Sequence, residues 1–276
     1  MKALVFCLVF ALKVMGYSFF QSETSINKDH LDLIHAIKDT VISTQKTRGL
    51  TNNYMNGNVV AQLLVHGQRK QMLKNFDTIN KRFKKLELPQ DFYADASILM
   101  KHSKVLNKGA FKSDSAEVFG EYSRVIEKWM HLNENIISWQ FKQDDEKRYR
   151  ELLLLNNVLL PLTENIGKMR GMGSGIVARG FCKESEATKM KTFVNEIQRY
   201  KMLLEHHMSQ THYNSLDSRE SSDINKNIQT YAELTKYKVI GKEDIRLVTN
   251  EYFDQGTMVI SKVLKIYNVV SSTLLK

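Results

Sequence analysis

The sequence predicts an all-α protein of eight helices that form two up-down four-helix bundles. Helix breakers are scarce, with 13 glycines and only 2 prolines in 276 residues, and apolar residues recur at spacings of three and four over long stretches. A short phrase also occurs twice, as Lys-Thr-Arg-Gly-Leu at 46–50 and as Lys-Met-Arg-Gly-Met at 168–172. The repeat predicts two related halves joined as a double bundle, with a chance match between unrelated halves as the alternative.

The first half, about residues 24–142, contains four predicted helices. A seam of apolar residues predicts a helix over 31–55, which we expect to end at Gly57 and Asn58. The next three helices are predicted over 59–86, 91–107 and 114–141, with a stop at 88–90 and an N-terminal cap at 113–115. The inward-facing candidates on the second helix are Leu63, Leu73, Phe76, Ile79 and Phe83.

The second half, about residues 143–276, repeats this plan. Its helices are predicted over 145–177, 184–210, 216–237 and 243–274. The acids Asp144, Asp145 and Glu146 complement the positive end of the first of them. Pro161 is expected to kink that helix unless it marks a helix start.

The first 18 residues resemble an export signal, with Lys2, an apolar run over 3–12 and small residues before Phe19. We therefore expect cleavage and a periplasmic protein, because about ten apolar residues are too few for a membrane anchor, which is the alternative. Cleavage leaves Cys182 as the single thiol, so no intramolecular disulfide is expected. A formal charge of +10 is typical of proteins that bind nucleic acid. Export argues against such a partner, so we expect that no nucleic acid binds.

Arg48 occupies a seam position that is otherwise apolar, so its guanidinium is expected to enter the core or to snorkel toward an edge of the bundle. A buried charge needs a negative partner, yet the residues three and four positions away are neutral and include Thr51. Arg170 has a similar setting, with Ser174 one turn later. Either an acid on another helix pairs with each arginine, or both arginines face one pocket and share a small oxyanion.

Glycines are concentrated beside the two arginines. Six of the thirteen lie there, although a glycine inside a helix costs about 1 kcal/mol relative to alanine. Either two helices touch backbone to backbone at this place, or a ligand fills the missing side-chain volume. These glycines are Gly49, Gly57, Gly167, Gly171, Gly173 and Gly175.

Three segments, at 45–54, 169–180 and 252–257, resemble the NIT domain, the nitrate- and nitrite-sensing input module of bacterial regulators, chemoreceptors and histidine kinases. The resemblance implies a double four-helix bundle that holds nitrate or nitrite between arginines on facing long helices. Carried onto this chain, it implies Arg48 and Arg170 as the principal anion ligands. The wider predicted anion-binding set is Arg48, Arg170, Thr51, Ser174, Arg69, Arg179 and Thr257.

Members of that family are typically fused to a membrane helix, a kinase or an RNA-binding module, whereas this sequence stops at Lys276. We therefore expect it to dock on a membrane sensor kinase or chemoreceptor, and a homodimer stays an open alternative. No enzyme, cofactor or metal site is expected, because neither Cys182 nor the histidines at 206, 207 and 212 form a catalytic or ligand constellation. The rival interpretation is a structural helical module that binds no small molecule.

Overall fold

The computed structural model describes residues 2–142, 146–210 and 218–274, and it contains no strand within these ranges. A short 3-10 turn links α3 to α4, and a π-helical turn at Leu155–Leu159 joins α5 to α6 without a break. The helices are α1 (Lys2–Met55), α2 (Ala61–Lys85), α3 (Gln90–Gly109), α4 (Ser115–Phe141), α5 (Glu146–Leu154), α6 (Leu160–Arg179), α7 (Glu184–Gln210), α8 (Ser218–Lys238) and α9 (Thr249–Thr273).

With α5 and α6 taken as one continuous rod, the described ranges contain the eight helices that the sequence predicts. The all-α fold class is confirmed, and the arrangement agrees with two bundles. The second, third and fourth helices of the two halves begin at 61 and 184, 90 and 218, and 115 and 249. These offsets of 123, 128 and 134 residues follow the 122-residue spacing of the repeated phrase and grow along the chain.

Several predicted helix ends are confirmed by local chemistry. α1 ends at Met55, and Gly57 follows it with a φ of +104°, which a glycine adopts without strain. Asp114 caps α4, because its side chain accepts hydrogen bonds from the backbone N–H groups of Ala116 and Glu117. Of the acids proposed to start α5, Glu146 is its first residue, and Asp144 and Asp145 lie outside the described residues.

The prediction that Leu63 and Leu73 face inward is wrong, since they are 76% and 44% exposed. The buried stripe of α2 instead includes Phe76, Ile79 and Phe83, which were also predicted, together with Val65 and Met72. Apolar residues occur on both sides of this helix, so its sequence alone does not fix which side packs on α1.

The last helix begins at Thr249 and not at 243, because the preceding segment packs on the turn between α6 and α7. The N–H of Cys182 donates to the carbonyl of Lys242 at 2.8 Å, and the N–H of Ile245 donates to the carbonyl of Gly180 at 2.8 Å. Gly241 allows this path with a φ of +69°. Backbone groups that pair with another turn are unavailable for helix bonds, which delays α9.

Pro161 lies in the first turn of α6, so the alternative of a helix start applies, and a π-helical turn precedes that start. Proline lacks an N–H and its ring crowds the carbonyl four residues earlier. The wider π-helical turn lets the helix continue past the proline ring. Such turns are frequent at functional sites.

Two apolar cores run along the molecule. One lies within α1 to α4 and is centred on Trp129, Phe76 and Ile37. The other joins α5 to α9 with Leu31, Ile34 and Ile42 of α1. α1 therefore contributes to both cores, and it reaches the second one by packing against α6. None of the helices in the described ranges combines the length and apolar character needed to cross a membrane.

Candidate functional site

The two repeated phrases meet where α1 crosses α6. A Cβ placed on Gly171 would lie 3.2 Å from the Cα of Gly49 and 3.1 Å from the ring of Phe119, so only a hydrogen atom fits between the helices. The predicted backbone-to-backbone approach at the glycines is therefore present. It brings the arginines that precede the two glycines, Arg48 and Arg170, to the same level of the molecule.

Arg48 is fully buried and paired with a carboxylate. Its Nη1 and Nη2 donate to the two oxygens of Glu164 at 2.5 and 3.1 Å, and Nη1 also donates to the hydroxyl of Ser123 at 2.8 Å. The guanidinium carbon lies 4.8 Å from the ring centroid of Phe119. Two alternatives were open for Arg48, an acid on another helix or a shared oxyanion. Arg48 follows the first, because it pairs with Glu164 of α6.

Arg170 is equally buried, at 1% exposure, but it forms no ion pair with any described residue. Its Nη1 donates to the hydroxyl of Thr257 on α9 at 2.9 Å, and its guanidinium carbon lies 4.5 Å from the ring centroid of Phe253. Its Nε and Nη2 are buried and have no hydrogen-bond partner in the described part of the chain. These two atoms share one edge of the guanidinium, so their N–H groups form a fork suited to a bidentate oxyanion.

Burial, with a smaller contribution from the charge of Arg48, lowers the pKa of Arg170 to about 10. Against an ordinary value of 12.5, this shift corresponds to about 3 kcal/mol of disfavour for the charged form in the folded protein. Arg170 stays protonated at neutral pH even so. The site is thus a buried cation whose charge an added anion would compensate.

Helices α8 and α9 complete the wall around Arg170. A Cβ on Gly256 would lie 2.6 Å from the hydroxyl of Tyr231 and 2.9 Å from the Cβ of Arg170, so glycine is needed for this close packing. The Tyr231 hydroxyl is buried and lacks a partner among the described residues. Burial raises the pKa of Tyr231 well above its usual value, so the hydroxyl keeps its proton and remains a potential donor.

The other predicted site residues fall into two groups. Ser174 lies one turn after Arg170, but its hydroxyl donates to the Arg170 carbonyl at 2.6 Å. Thr51 lies one turn after Arg48, is fully buried and has a hydroxyl without a partner in the described ranges. Arg69 belongs to α2, and Arg179 is the last residue of α6.

Arg179 pairs with Glu186 and donates to the carbonyl of Phe181 at 3.3 Å, so it stabilises the turn between α6 and α7. Arg69 lies on α2 and stacks on Phe111, with 4.6 Å between the guanidinium carbon and the ring centroid. The structure thus brings together Arg48, Arg170 and Thr257, whereas Arg69 and Arg179 form contacts with other partners.

Glu164 is the most important residue that the sequence analysis missed. Its side chain is acidic, yet it is only 2% exposed and lies between the core residues Leu162 and Ile166. An acid at a buried position of an apolar helix could have been recognised, because such a group requires a cationic partner. Phe119, Ser123, Tyr231 and Phe253 carried no comparable signal.

The described residues contain no group of three or more histidine, cysteine, aspartate or glutamate side chains placed to hold a metal ion. Of the histidines considered above, His206 and His207 lie on α7, and His212 falls outside the described residues.

Residues 39–275 match the protein family described as nitrate and nitrite sensing, NIT. The chain belongs to the NIT family. The structure of the NasR transcription antiterminator resembles this NIT chain with a TM-score of 0.72 and 12% identity, over 97% of this chain and 73% of that one. At this identity the likeness shows the fold alone. No curated protein matches the chain. Family membership indicates a nitrate- and nitrite-sensing module.

Proposed function

We propose that this NIT chain binds one nitrate or nitrite ion at the free edge of Arg170, where α1, α6 and α9 meet. The observation that carries the proposal is the fork of Arg170, since its Nε and Nη2 are buried without a partner in the described part of the chain. Leaving donors of a buried charged group unpaired is costly, so a ligand that accepts from both would be strongly favoured.

The buried charges at the crossing predict the charge of the ligand. Arg48 and Arg170 are cations and Glu164 is an anion, and all three are at most 2% exposed. Their sum is one positive charge, which a single monovalent anion neutralises. Nitrate and nitrite fit this requirement, whereas sulfate would leave an excess negative charge in the core.

Binding would be transmitted through the helices that meet at Arg170. An anion drawn to the fork adjusts α6 and α9 around α1, and packed helices respond by shifts of about 1–2 Å. At the far end of the same helices, the ring of His35 on α1 lies 2.5 Å from the hydroxyl of Ser271 on α9. A change at Arg170 therefore has a packed route toward the end of α9.

Titration calorimetry with nitrate, nitrite, chloride and sulfate tests the proposal, with Arg170→Lys as the diagnostic variant. Lysine keeps the charge but lacks the fork, so the affinity for nitrate should fall at least about tenfold while helix content is unchanged. Arg199→Lys is the matched control, because Arg199 also stacks on a ring but lies at the surface and pairs with Glu196. Unchanged binding by Arg170→Lys would show that the ligand lies elsewhere, and flat traces for every anion would favour the structural module.

The proposal includes export and a receptor. An exported sensing module requires a membrane protein that detects its ligand state, and a sensor kinase or chemoreceptor is the expected partner. Cell fractionation of a tagged chain and crosslinking in the presence and absence of nitrate test both points. Recovery of the tagged chain from the cytoplasm would contradict export, and light scattering would show whether two copies associate.

A further inference from the structure

We propose that the first bundle contains a second oxyanion site, built on Arg69 and separate from the site at Arg170. Arg69 projects from α2 toward the segment between α3 and α4. The inference rests on the unpaired donors around Arg69 and does not depend on what binds at Arg170.

The donors of Arg69 are arranged as they are in Arg170. Its Nε and Nη2 are buried and have no partner among the described residues, so the same edge of the guanidinium is free. Its guanidinium carbon lies 4.6 Å from the ring centroid of Phe111, against 4.5 Å between Arg170 and Phe253. No described aspartate or glutamate forms an ion pair with it. A stacked guanidinium with a free fork is the arrangement that receives an oxyanion in one plane.

Neutral polar groups complete the surroundings of Arg69. The hydroxyl of Tyr122 donates to Asn107 Oδ1 at 2.8 Å, so its oxygen remains an acceptor for the guanidinium. Burial raises the pKa of Tyr122, and the positive charge of Arg69 opposes this shift. Thr51 also lowers the pKa of the Tyr122 phenol. Its side chain is fully buried, and its hydroxyl has no hydrogen-bond partner within the described ranges. Both Thr51 and Arg69 act on Tyr122, so we place the Thr51 hydroxyl as a third donor to the anion.

The two arginines belong to different parts of the molecule. Arg69 contacts Phe111 and the α4 residue Tyr122, whereas Arg170 contacts Thr257 and Phe253 of α9. Phe111 and Phe253 both pack on a small apolar cluster. This cluster consists of Leu50, Ala61 and Val65. The two guanidinium groups are stacked on different rings, and each has its own free Nε and Nη2 edge, so we place a separate anion at each.

The ligand class follows from the donors. A fork plus one hydroxyl suits a small oxyanion with at least two exposed oxygens, such as nitrate, because two oxygens match two parallel donors and a spherical chloride does not. Because Thr51 follows Arg48 by one turn on α1, an anion at Arg69 would also contact the helix that carries the first motif.

Equilibrium dialysis with nitrate, read as ions bound per chain, tests the second site. The parent protein should bind two nitrate ions, Arg69→Lys one, Arg170→Lys one, and the double variant none. The affinity at the altered site should fall at least about tenfold. Arg199→Lys should keep both sites, and far-UV circular dichroism should show the parent helix content in every variant.

Two results would overturn the second site. One is a single nitrate per parent chain whose binding is unaffected by Arg69→Lys, and the other is a single nitrate that either substitution abolishes. Either result leaves the Arg170 site intact. Conversely, one nitrate that is lost in Arg69→Lys and retained in Arg170→Lys would support the Arg69 site and refute the proposed function.

Discussion

The Cα of Gly49 lies 3.2 Å from the position that a Cβ on Gly171 would occupy, so α1 and α6 are in backbone contact between the two buried arginines. Real Cβ atoms rarely have such close neighbours. Because the obstacle is backbone, a side chain at Gly171 could be accommodated only by moving one helix away from the other.

Gly171→Ala should therefore lower both stability and anion affinity. The added methyl also meets the ring of Phe119 at 3.1 Å, so overpacking should destabilise the fold by about 1–3 kcal/mol. Separation of the helices would also displace Arg170 from its present position. Urea unfolding gives the first effect and nitrate titration gives the second.

Gly49→Ala is the matched control on the facing helix. Its Cβ would lie 3.5 Å from Phe253 and 3.7 Å from Nη2 of Arg170, which are ordinary contact distances. Removing a glycine from a helix interior should stabilise the protein by up to about 1 kcal/mol. Nitrate binding should still weaken, because the methyl occupies space beside the free fork. Equal stability of the two variants would contradict the importance of the backbone contact.

Glu164→Gln should make stability depend on anions. The substitution leaves Arg48 without its carboxylate, and breaking a buried pair in this way costs about 3–5 kcal/mol. The crossing then holds two uncompensated cations, so the variant should bind nitrate more tightly and gain more stability than the parent at the same nitrate concentration. Thermal melts with and without nitrate would show a larger increase in Tm for this variant than for the parent.

Glu127→Gln provides the comparison for this experiment. Glu127 pairs with Lys168 at 3.1 Å, and Lys168 also lies 3.6 Å from Glu164, but the Glu127 side chain is about half exposed. Exposed pairs contribute at most about 1 kcal/mol, so this variant should behave like the parent. If Glu164→Gln were equally mild, the core would not require a counter-charge at Arg48.

The sequence was sufficient for features that depend on local chemistry. The end of α1 before Gly57, the cap at Asp114 and the bounds of α7 at Glu184 and Gln210 follow from short-range signals and were predicted. The burial of Arg48 and Arg170 was also predicted, because each lies in an apolar seam.

Features that depend on packing between distant segments were not predicted. Glu164 and Arg48 are 116 residues apart, and helical periodicity does not determine which face of one helix meets another. For the same reason Leu63 was assigned to the wrong side of α2. The late start of α9 reflects hydrogen bonds to the turn that follows Arg179, which no local pattern indicates.

Tyr231→Phe should weaken nitrate binding without weakening the fold. The Tyr231 hydroxyl is buried beside Arg170 with no partner among the described residues, so removing it relieves an unsatisfied donor and should stabilise the ligand-free protein by about 1 kcal/mol. If the hydroxyl donates to the bound anion, affinity should fall at least about tenfold, as expected for one hydrogen bond to a charged group. Unfolding and calorimetry measure the two effects separately.

Tyr267→Phe separates binding from stability in this test. The Tyr267 hydroxyl is also buried and unpartnered within the described ranges, but its ring lies beside His35, away from the crossing. The variant should gain stability as Tyr231→Phe does and should bind nitrate like the parent. A similar loss of affinity in both variants would exclude Tyr231 as a specific donor.

His35 links α1 to α9 and makes stability depend on pH. Burial lowers the pKa of His35 below 6.5, and the charge of Lys38 lowers it further, whereas Asp39 and Asp32 act in the opposite direction with smaller effect. In the unfolded chain the imidazole binds a proton near pH 6.5, but in the folded chain it does so only at lower pH. The unfolded state therefore holds more protons in this window, and stability is lost as the pH falls below 6.5.

His35→Gln should reduce this loss, because glutamine does not titrate and can still hydrogen-bond to Ser271. Urea unfolding at about pH 7.5 and about pH 5 should show a smaller difference between the two conditions for the variant than for the parent. His131→Gln is the control, because the His131 side chain is 78% exposed and its neighbour Glu134 lies 3.8 Å away. If the control removed as much of the pH dependence as His35→Gln does, the acid sensitivity would arise at the surface and not at the α1–α9 contact.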